Sequence, residues 1–337
     1  MKIQILCTLG PASLSPEVVG RLDKAGVDLF RINLSHTPVD RVEAAIDLVQ
    51  RASSKPLCLD LHGAQVRCGR VEPGVVLDKG EPIRLMSAMV QGTARELTLW
   101  PRATFAALQV GSLVSIDFDG AQLEIVEAGQ DYAEAVVTDG GQVRSNKAVT
   151  VHPAPTLPVL TDSDREAIAV GLRRGIRDVA LSFASSPEDV DLVRSLMPQA
   201  RVISKIESSA GVRNMDGIIH RSDAVLIDRG DLSREVPLEY VPYYQKAIIR
   251  RANRWSRPVY VATNLLESMV TNRNPTIAEA NDVANTLMDG VHGLVLAAET
   301  AIGRDPVGIV DMVTRMVRAF EWSNLGALLE REQLANT

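Results

Sequence analysis

Eight short apolar runs, near 2–8, 27–33, 56–61, 178–182, 200–206, 224–227, 258–262 and 292–296, constrain this chain more than any other feature. Stretches with helical spacing alternate with them, at 14–25, 40–52, 163–174, 187–196, 238–255, from Thr276 onward, and at 306–321. Thr161 with Asp164 and Thr276 with Glu279 read as capping boxes that start two of these helices. Strand–helix alternation with short connections predicts a parallel sheet. Eight such units in roughly 250 residues predict an α/β fold of the (β/α)₈ barrel type.

The rhythm breaks once. From Cys68 to about Ala154 helical periodicity nearly vanishes. Short β-like runs take over, separated by turn signals at Glu72-Pro73-Gly74, Lys79-Gly80, Asp119-Gly120 and Asp139-Gly140-Gly141. This predicts a small all-β domain inserted after the third strand. The expected organisation is therefore a discontinuous barrel over 1–67 and 155–325, an inserted β domain over 68–154, and a C-terminal tail over 326–337. The leucines of the 322–337 stretch read as one more helix.

Composition narrows the function classes. The 337 residues carry a net charge of -6, and aromatics are only 4%. A nucleic-acid surface is not expected of such a chain. The three cysteines, Cys7, Cys58 and Cys68, have neither CxxC nor zinc spacing, which suits a reduced cytoplasmic setting. The start, MKIQILCTLG, lacks the form of a signal peptide. No run of 18 apolar residues predicts a membrane span.

A barrel of this type carries its active site at the C-terminal ends of its strands. Those ends are polar here. The second strand ends in Arg31, Asn33, Ser35 and His36, and the third in Asp60. The fifth ends in Lys205 and Glu207, which share one side of the strand because they are two apart. The sixth runs into Asp228-Arg229-Gly230-Asp231, the seventh into Thr263-Asn264, and the eighth leads to Glu299-Thr300.

Glu207 and Asp231 are hard oxygen ligands suited to magnesium or manganese. Arg31, Arg67 and Lys205 suit a phosphoryl group in transfer. Gly230 and Asp231 open a short helix whose N–H groups can hold a carboxylate. Together these suit an anionic, metal-chelating small molecule such as a 2-oxo acid or an enol phosphate. There is no Walker A loop, GxGxxG, HExxH or GxSxG. Plainer readings stand beside these: Arg31 and Arg67 as structural ion pairs, His36 as a loop cap, and Glu299 as a joint between loops. Asp282 and Asp289 read as residues on a helix surface or at its end, and His62, His152, His220 and His292 as structural or exposed. A buried lysine is costly without a partner, which sets Lys205 with Glu207 apart.

Seven stretches carry a resemblance to a known family: Cys7-Thr8-Leu9-Gly10-Pro11-Ala12-Ser13, Arg31-Ile32-Asn33-Leu34-Ser35-His36, Ser204-Lys205-Ile206-Glu207, Arg229-Gly230-Asp231-Leu232, 262–269, Asp282-Val283-Ala284-Asn285 and Glu299-Thr300-Ala301. Over nearly its whole length the chain resembles pyruvate kinase. The resemblance implies a phosphotransferase using ADP/ATP, with Mg2+ or Mn2+ on Glu207 and Asp231. It implies that Lys205 and Arg31 hold the phosphoryl group, with Arg67 helping, and that Thr263 supports enolate protonation. Asn33, Ser35 and Asp60 resemble the family's potassium site. Thr8, Pro11, His36 and the lid lysine Lys147 would lie along the nucleotide. The β insert resembles the family's mobile lid, with Asp117, Asp119 and Gly120 near its Asp-Asp-Gly element.

The departures are also informative. The chain ends soon after the eighth helix, so control through the family's C-terminal domain is not expected and the family's usual tetramer is not assumed; a homo-oligomer stays open. The family's Asp-Thr-Lys-Gly-Pro-Glu-Ile-Arg reads Asp60-Leu61-His62-Gly63-Ala64-Gln65-Val66-Arg67 here. Asp228 replaces an alanine, Asn264 a glutamine, and Ala297-Ala298 a Ser-Gly pair. An unpaired carboxylate beside an enolate is repulsive. Asp228 and Asn264 therefore point to an altered substrate pocket, in which Asp228 meets a substrate hydroxyl or amine or serves as an acid or base. The kinase reading competes with a metal-dependent 2-oxo acid lyase or aldolase and with a non-catalytic relative. The phosphoryl clamp argues against the first, and intact Lys205, Glu207, Asp231 and Thr263 against the second.

Overall fold

A computed structural model describes residues 2–117 and 120–323. Asp119 and the helix expected within 322–337 lie, wholly or mostly, outside these residues. The chain divides into two compact units, 1–63 with 160–337, and 64–159. The sequence placed these junctions at 67/68 and 154/155. Val66 belongs to the apolar core of the second unit, which draws the first junction back towards Gly63.

In the first unit eight strands close into a parallel barrel. They are β1 (Gln4–Leu9), β2 (Leu29–Asn33), β3 (Leu57–Asp60), β4 (Asp178–Leu181), β5 (Arg201–Lys205), β6 (Ala224–Asp228), β7 (Val259–Ala262) and β8 (Gly293–Leu296). Neighbours around the wall run β1-β8-β7-β6-β5-β4-β3-β2 and back to β1. Strands covered on both faces read as unbroken apolar runs, which is why this pattern was legible. Leu6, Leu29, Ile203, Leu226, Ala262 and Val295 fill part of the interior.

Helices start where the local chemistry dictates. The Pro16–Ala25 helix has Ser15 as N-cap, proline in its first turn and Gly26 at φ 113 as C-cap. Both predicted capping boxes form, Thr161 with Asp164 and Thr276 with Glu279. The helix expected over 238–255 is divided: a 3₁₀ turn, Leu238–Tyr240, precedes the Val241–Arg254 helix. Pro242 sits in that helix's first turn, where its missing N–H breaks no intrahelical bond. Two short helices, Ser209–Arg213 and Met215–Arg221, fill the crossover from β5 to β6. The sequence reading left that crossover without helices.

The second unit is β-rich, as its turn spacing predicts. A seven-stranded sheet orders Val149–His152, Leu113–Ile116, Ala121–Ala128, Tyr132–Asp139, Pro82–Met86, Glu96–Trp100 and Arg67–Cys68. Buried and outward residues alternate along Ala121–Ala128 and Tyr132–Asp139, as expected of strands with one face on a core. Leu85, Leu97, Leu99, Leu123 and Ile125 are fully buried in that core.

All three cysteines are buried and free. Burial pushes their thiols up, Cys7 to about 12, so none is a ready nucleophile. Among the described residues no helix is long and apolar enough to cross a membrane.

Candidate active site

At the C-terminal ends of the barrel strands, charged groups are buried together. Lys205 is the hub. Its Nζ lies 3.1 Å from Glu207 Oε2, 3.6 Å from Asp60 Oδ1 and 3.6 Å from Asp228 Oδ2. It donates to Ser182 Oγ at 3.1 Å, and Ser182 in turn donates to the Leu61 carbonyl. Arg31 completes the cationic side. Its Nη1 is 3.0 Å from Asp60 Oδ2, and its Nε donates to Thr8 Oγ1 at 2.9 Å. Asp60 thus couples the two cations. Lys205, Glu207, Arg31 and Asp60 are each at most 5% exposed.

Burial alone would favour neutral Lys205, but Asp60, Glu207, Asp228 and Asp231 outweigh it and raise its pKa. The ammonium therefore stays charged. Burial raises Glu207 to about 8, opposed by Lys205 and reinforced by Asp231 and Asp228. A carboxylate held this high has less positive charge near it than its ionised form needs. Burial also pushes Asp228 up, but Lys205, Arg31, the Asp231 N–H and the Thr263 hydroxyl bring it below its ordinary value.

Strand ends and strained loops hold these groups. The Phe183 N–H donates to Glu207 Oε1 at 2.8 Å from a left-handed backbone, φ 53. After β7, Thr263 and Asn264 are both left-handed, at φ 69 and φ 54. For a β-branched residue that is a strained conformation, held only where its surroundings fix it. Arg229 does the fixing. Its guanidinium donates to the carbonyls of Thr263 and Asn264 and pairs through Nη1 with both Asp282 oxygens, at 2.9 and 2.8 Å. Glu299 accepts from the N–H groups of Leu265, Leu266 and Ala297, which joins the loops after β7 and β8. The Thr300 hydroxyl donates to the Thr8 carbonyl. A Cβ on Gly10 would stand 2.7 Å from Ala301, so only glycine lets the end of β1 lie this close.

The structure changes the reading of Asp228. Its Oδ1 accepts from the Gly230 N–H at 3.2 Å, from the Asp231 N–H at 3.4 Å, and lies 3.2 Å from the Thr263 hydroxyl. Asp228 is the N-cap of the Arg229–Glu235 helix. It is therefore not an unpaired carboxylate. The N–H groups expected to receive a substrate carboxylate already face one from the chain, and Gly230 N also donates to Thr263 Oγ1 at 2.8 Å.

A divalent ion fits the donor set. Single oxygens of Glu207, Asp228 and Asp231 all lie within 4.8 Å of one another. Glu207 Oε2 is buried and accepts no hydrogen bond among the described residues. Asp231 also pairs with Arg234 at 2.9 Å.

Other expected residues are placed differently. Asn33 Oδ1 accepts the Ser35 N–H at 2.9 Å, and Asp60 is engaged with Arg31 and Lys205. The Thr8 hydroxyl faces Arg31, and Pro11 is exposed at the turn after β1. His36 lines a cavity of about 380 Å³ with Ser35, Thr37, His62 and Ser163. Arg67 and Lys147 belong to the second unit. There Arg67 donates to the Asn146 carbonyl, and Lys147 pairs with Asp117 at 2.7 Å.

Sequence reasoning missed Ser182 and Phe183, although the strand-end rule applied to β4 would have found them. It also missed the Arg229–Asp282 pair, whose members are 53 positions apart and carry no local signal.

The family model described as pyruvate kinase, barrel domain, matches residues 1–310. A pyruvate kinase of Mycobacterium tuberculosis (strain ATCC 25618 / H37Rv) is 36% identical over 337 residues, covering 96% of this chain and 71% of that protein. One from Corynebacterium efficiens is 35% identical over 331 residues, 95% and 70% respectively. One from Methylorubrum extorquens is 35% identical over 339 residues, 97% and 71%.

Proposed function

Because the chain belongs to the pyruvate kinase family, and is on that ground a phosphotransferase, we propose that it moves a phosphoryl group between an enol phosphate and ADP. The observation that carries this reading is the buried pair of cations, Lys205 and Arg31, coupled through Asp60 beside Glu207. Fixed cations of this kind stabilise charge on transferring phosphoryl oxygens, and they do so best in a dry site. Glu207 and Asp231 would hold Mg2+ or Mn2+, which supplies charge neutralisation to the phosphoryl and enolate oxygens. Loss of the phosphoryl group leaves an enolate, and Thr263 beside Asp228 supports protonation of its carbon. His36 and its cavity would take part of the nucleotide. Thr8 serves indirectly, by orienting Arg31. Asn33, Ser35 and Asp60 are the candidates for a potassium ion, and transfer measured in potassium against tetramethylammonium decides that point.

A second reading concerns the substrate. Asp228 Oδ1 fills the N–H groups at the start of the Arg229–Glu235 helix. This favours a modified substrate that presents a hydroxyl or amine there in place of a carboxylate. Purified protein with ADP, magnesium and phosphoenolpyruvate, followed for ATP and pyruvate, separates the readings. Turnover supports the plain substrate. Silence, with turnover gained in Asp228→Ala, supports the modified one. Silence in both, with no hydroxy acid phosphorylated from ATP, defeats the phosphotransfer reading.

A further inference from the structure

We infer that Asp228 is a third carboxylate ligand of the divalent cation, so that the barrel mouth binds the ion before any substrate arrives. This rests on the reading that Glu207 and Asp231 hold the ion, and it adds a residue to that set.

Three observations carry it. The first is spacing. Oxygens of Glu207, Asp228 and Asp231 lie within 4.8 Å of one another. Two ligands at about 2.0–2.6 Å from one ion are at most about 5 Å apart, so each pair of these oxygens is close enough to share an ion.

The second is a shared pattern of restraint. In Glu207 one oxygen is held by the Phe183 N–H at 2.8 Å. The other has the Lys205 ammonium at 3.1 Å but accepts no hydrogen bond among the described residues. In Asp228, Oδ1 is held by the Gly230 and Asp231 N–H groups beside the Thr263 hydroxyl. Its Oδ2 lies 3.6 Å from the Lys205 ammonium. Each carboxylate thus has one oxygen fixed by backbone N–H groups and the other beside the Lys205 ammonium. Outer hydrogen bonds of this sort orient ligands around a metal.

The third is burial. Glu207 is 0% exposed and Asp228 6% exposed. Carboxylates so placed repel each other across a dry gap, and the Lys205 ammonium is shared between Glu207 and Asp228. A divalent ion adds positive charge among them.

A third carboxylate also alters the mouth's net charge. Two carboxylates leave a divalent ion relying on substrate oxygens for affinity, whereas three hold it alone.

The test is binding of Mn2+ alone, with no nucleotide and no phosphate compound, followed through the electron paramagnetic resonance signal of the free ion. The wild-type chain is expected to sequester one Mn2+. Asp228→Ala should weaken binding at least about tenfold. Asp228→Asn keeps an oxygen for the Gly230 and Asp231 N–H groups but loses the charge, and should weaken binding similarly. Because that variant preserves the helix cap, a shared loss is not misfolding. Wild-type affinity in both variants overturns the inference, as does a wild-type chain that takes up Mn2+ only with substrate. Phosphotransfer is tested separately, by ATP formation at saturating Mg2+, so a weakened ion site and a failed phosphotransfer reading give different results.

Discussion

The two ends of the barrel are made of the same kinds of residue and behave in opposite ways. At the N-terminal end, Gln4, Asp178, Arg201 and Tyr260 form a plug. The Tyr260 hydroxyl donates to Gln4 Oε1 at 2.7 Å and accepts from Arg201, which pairs with Asp178 at 3.0 Å. At the C-terminal end, Arg31, Asp60, Lys205, Glu207 and Asp228 crowd together. Among the described residues, Arg31 Nη1, Asp60 Oδ1 and Glu207 Oε2 are buried there without hydrogen-bond partners, and no side-chain atom of the plug is. Buried polar groups are normally satisfied, so unsatisfied ones call for a reason. At the plug, polar groups close the fold. At the mouth, these three atoms are held by ion pairs without hydrogen bonds, which leaves them able to take a ligand. The two ends therefore differ in how their polar groups are held and not in residue type.

The sharpest way to break this contrast is to neutralise the mouth. Glu207→Gln should lower transfer by about 10²–10³-fold and weaken Mn2+ binding, with circular dichroism unchanged. A stable variant that keeps full turnover would mean that Glu207 is merely structural. Arg229→Met is next in size. It releases the strained Thr263 and Asn264 backbone, and the misplaced Thr263 should cost tenfold to about a hundredfold in kcat. The melting temperature should fall less than activity does.

At the other end the expectation reverses. Tyr260→Phe leaves Arg201 and Gln4 without their shared hydroxyl. Stability should drop by roughly 1–3 kcal/mol in urea unfolding while kcat is retained. A large loss of kcat would show that the plug is coupled to the mouth.

The smallest effect concerns His292, before β8. Its Nδ1 accepts the Val259 N–H at 3.3 Å, so it must be neutral there. Burial lowers its pKa below 6.5. The folded chain resists protonating it, so its contribution is complete above 6.5 and is lost as pH falls through the lowered folded value. The ring is partly exposed, so the effect is modest, about one hydrogen bond. Melting curves at pH 8 and pH 5 should show a larger acid loss for the wild type than for His292→Gln. Equal losses would remove His292 from the account.

The mouth's side of this contrast is legible in the sequence, and the plug's is not. Strands covered on both faces must be apolar, so all eight could be read, and charges at their ends marked the mouth. Glu299 was read as a loop joint, and it is one. At Asp228 the sequence signals a carboxylate beside the substrate, and the structure adds a second role, since an aspartate between a strand and a helix is also a strong N-cap. Other features left no trace in the sequence. The left-handed turns at Phe183 and Thr263 are imposed by their surroundings, not by their residue types. The partnership of Arg229 with Asp282 exists only once the barrel has closed.

The central claim is that the mouth's buried ammonium acts on a phosphoryl group. Lys205→Met tests it most directly, by ATP formation from phosphoenolpyruvate and ADP in magnesium, or from the enol phosphate found to turn over. Transfer should fall by at least about a hundredfold while circular dichroism still reports a folded barrel. A folded Lys205→Met chain that turns over like the wild type would contradict the account.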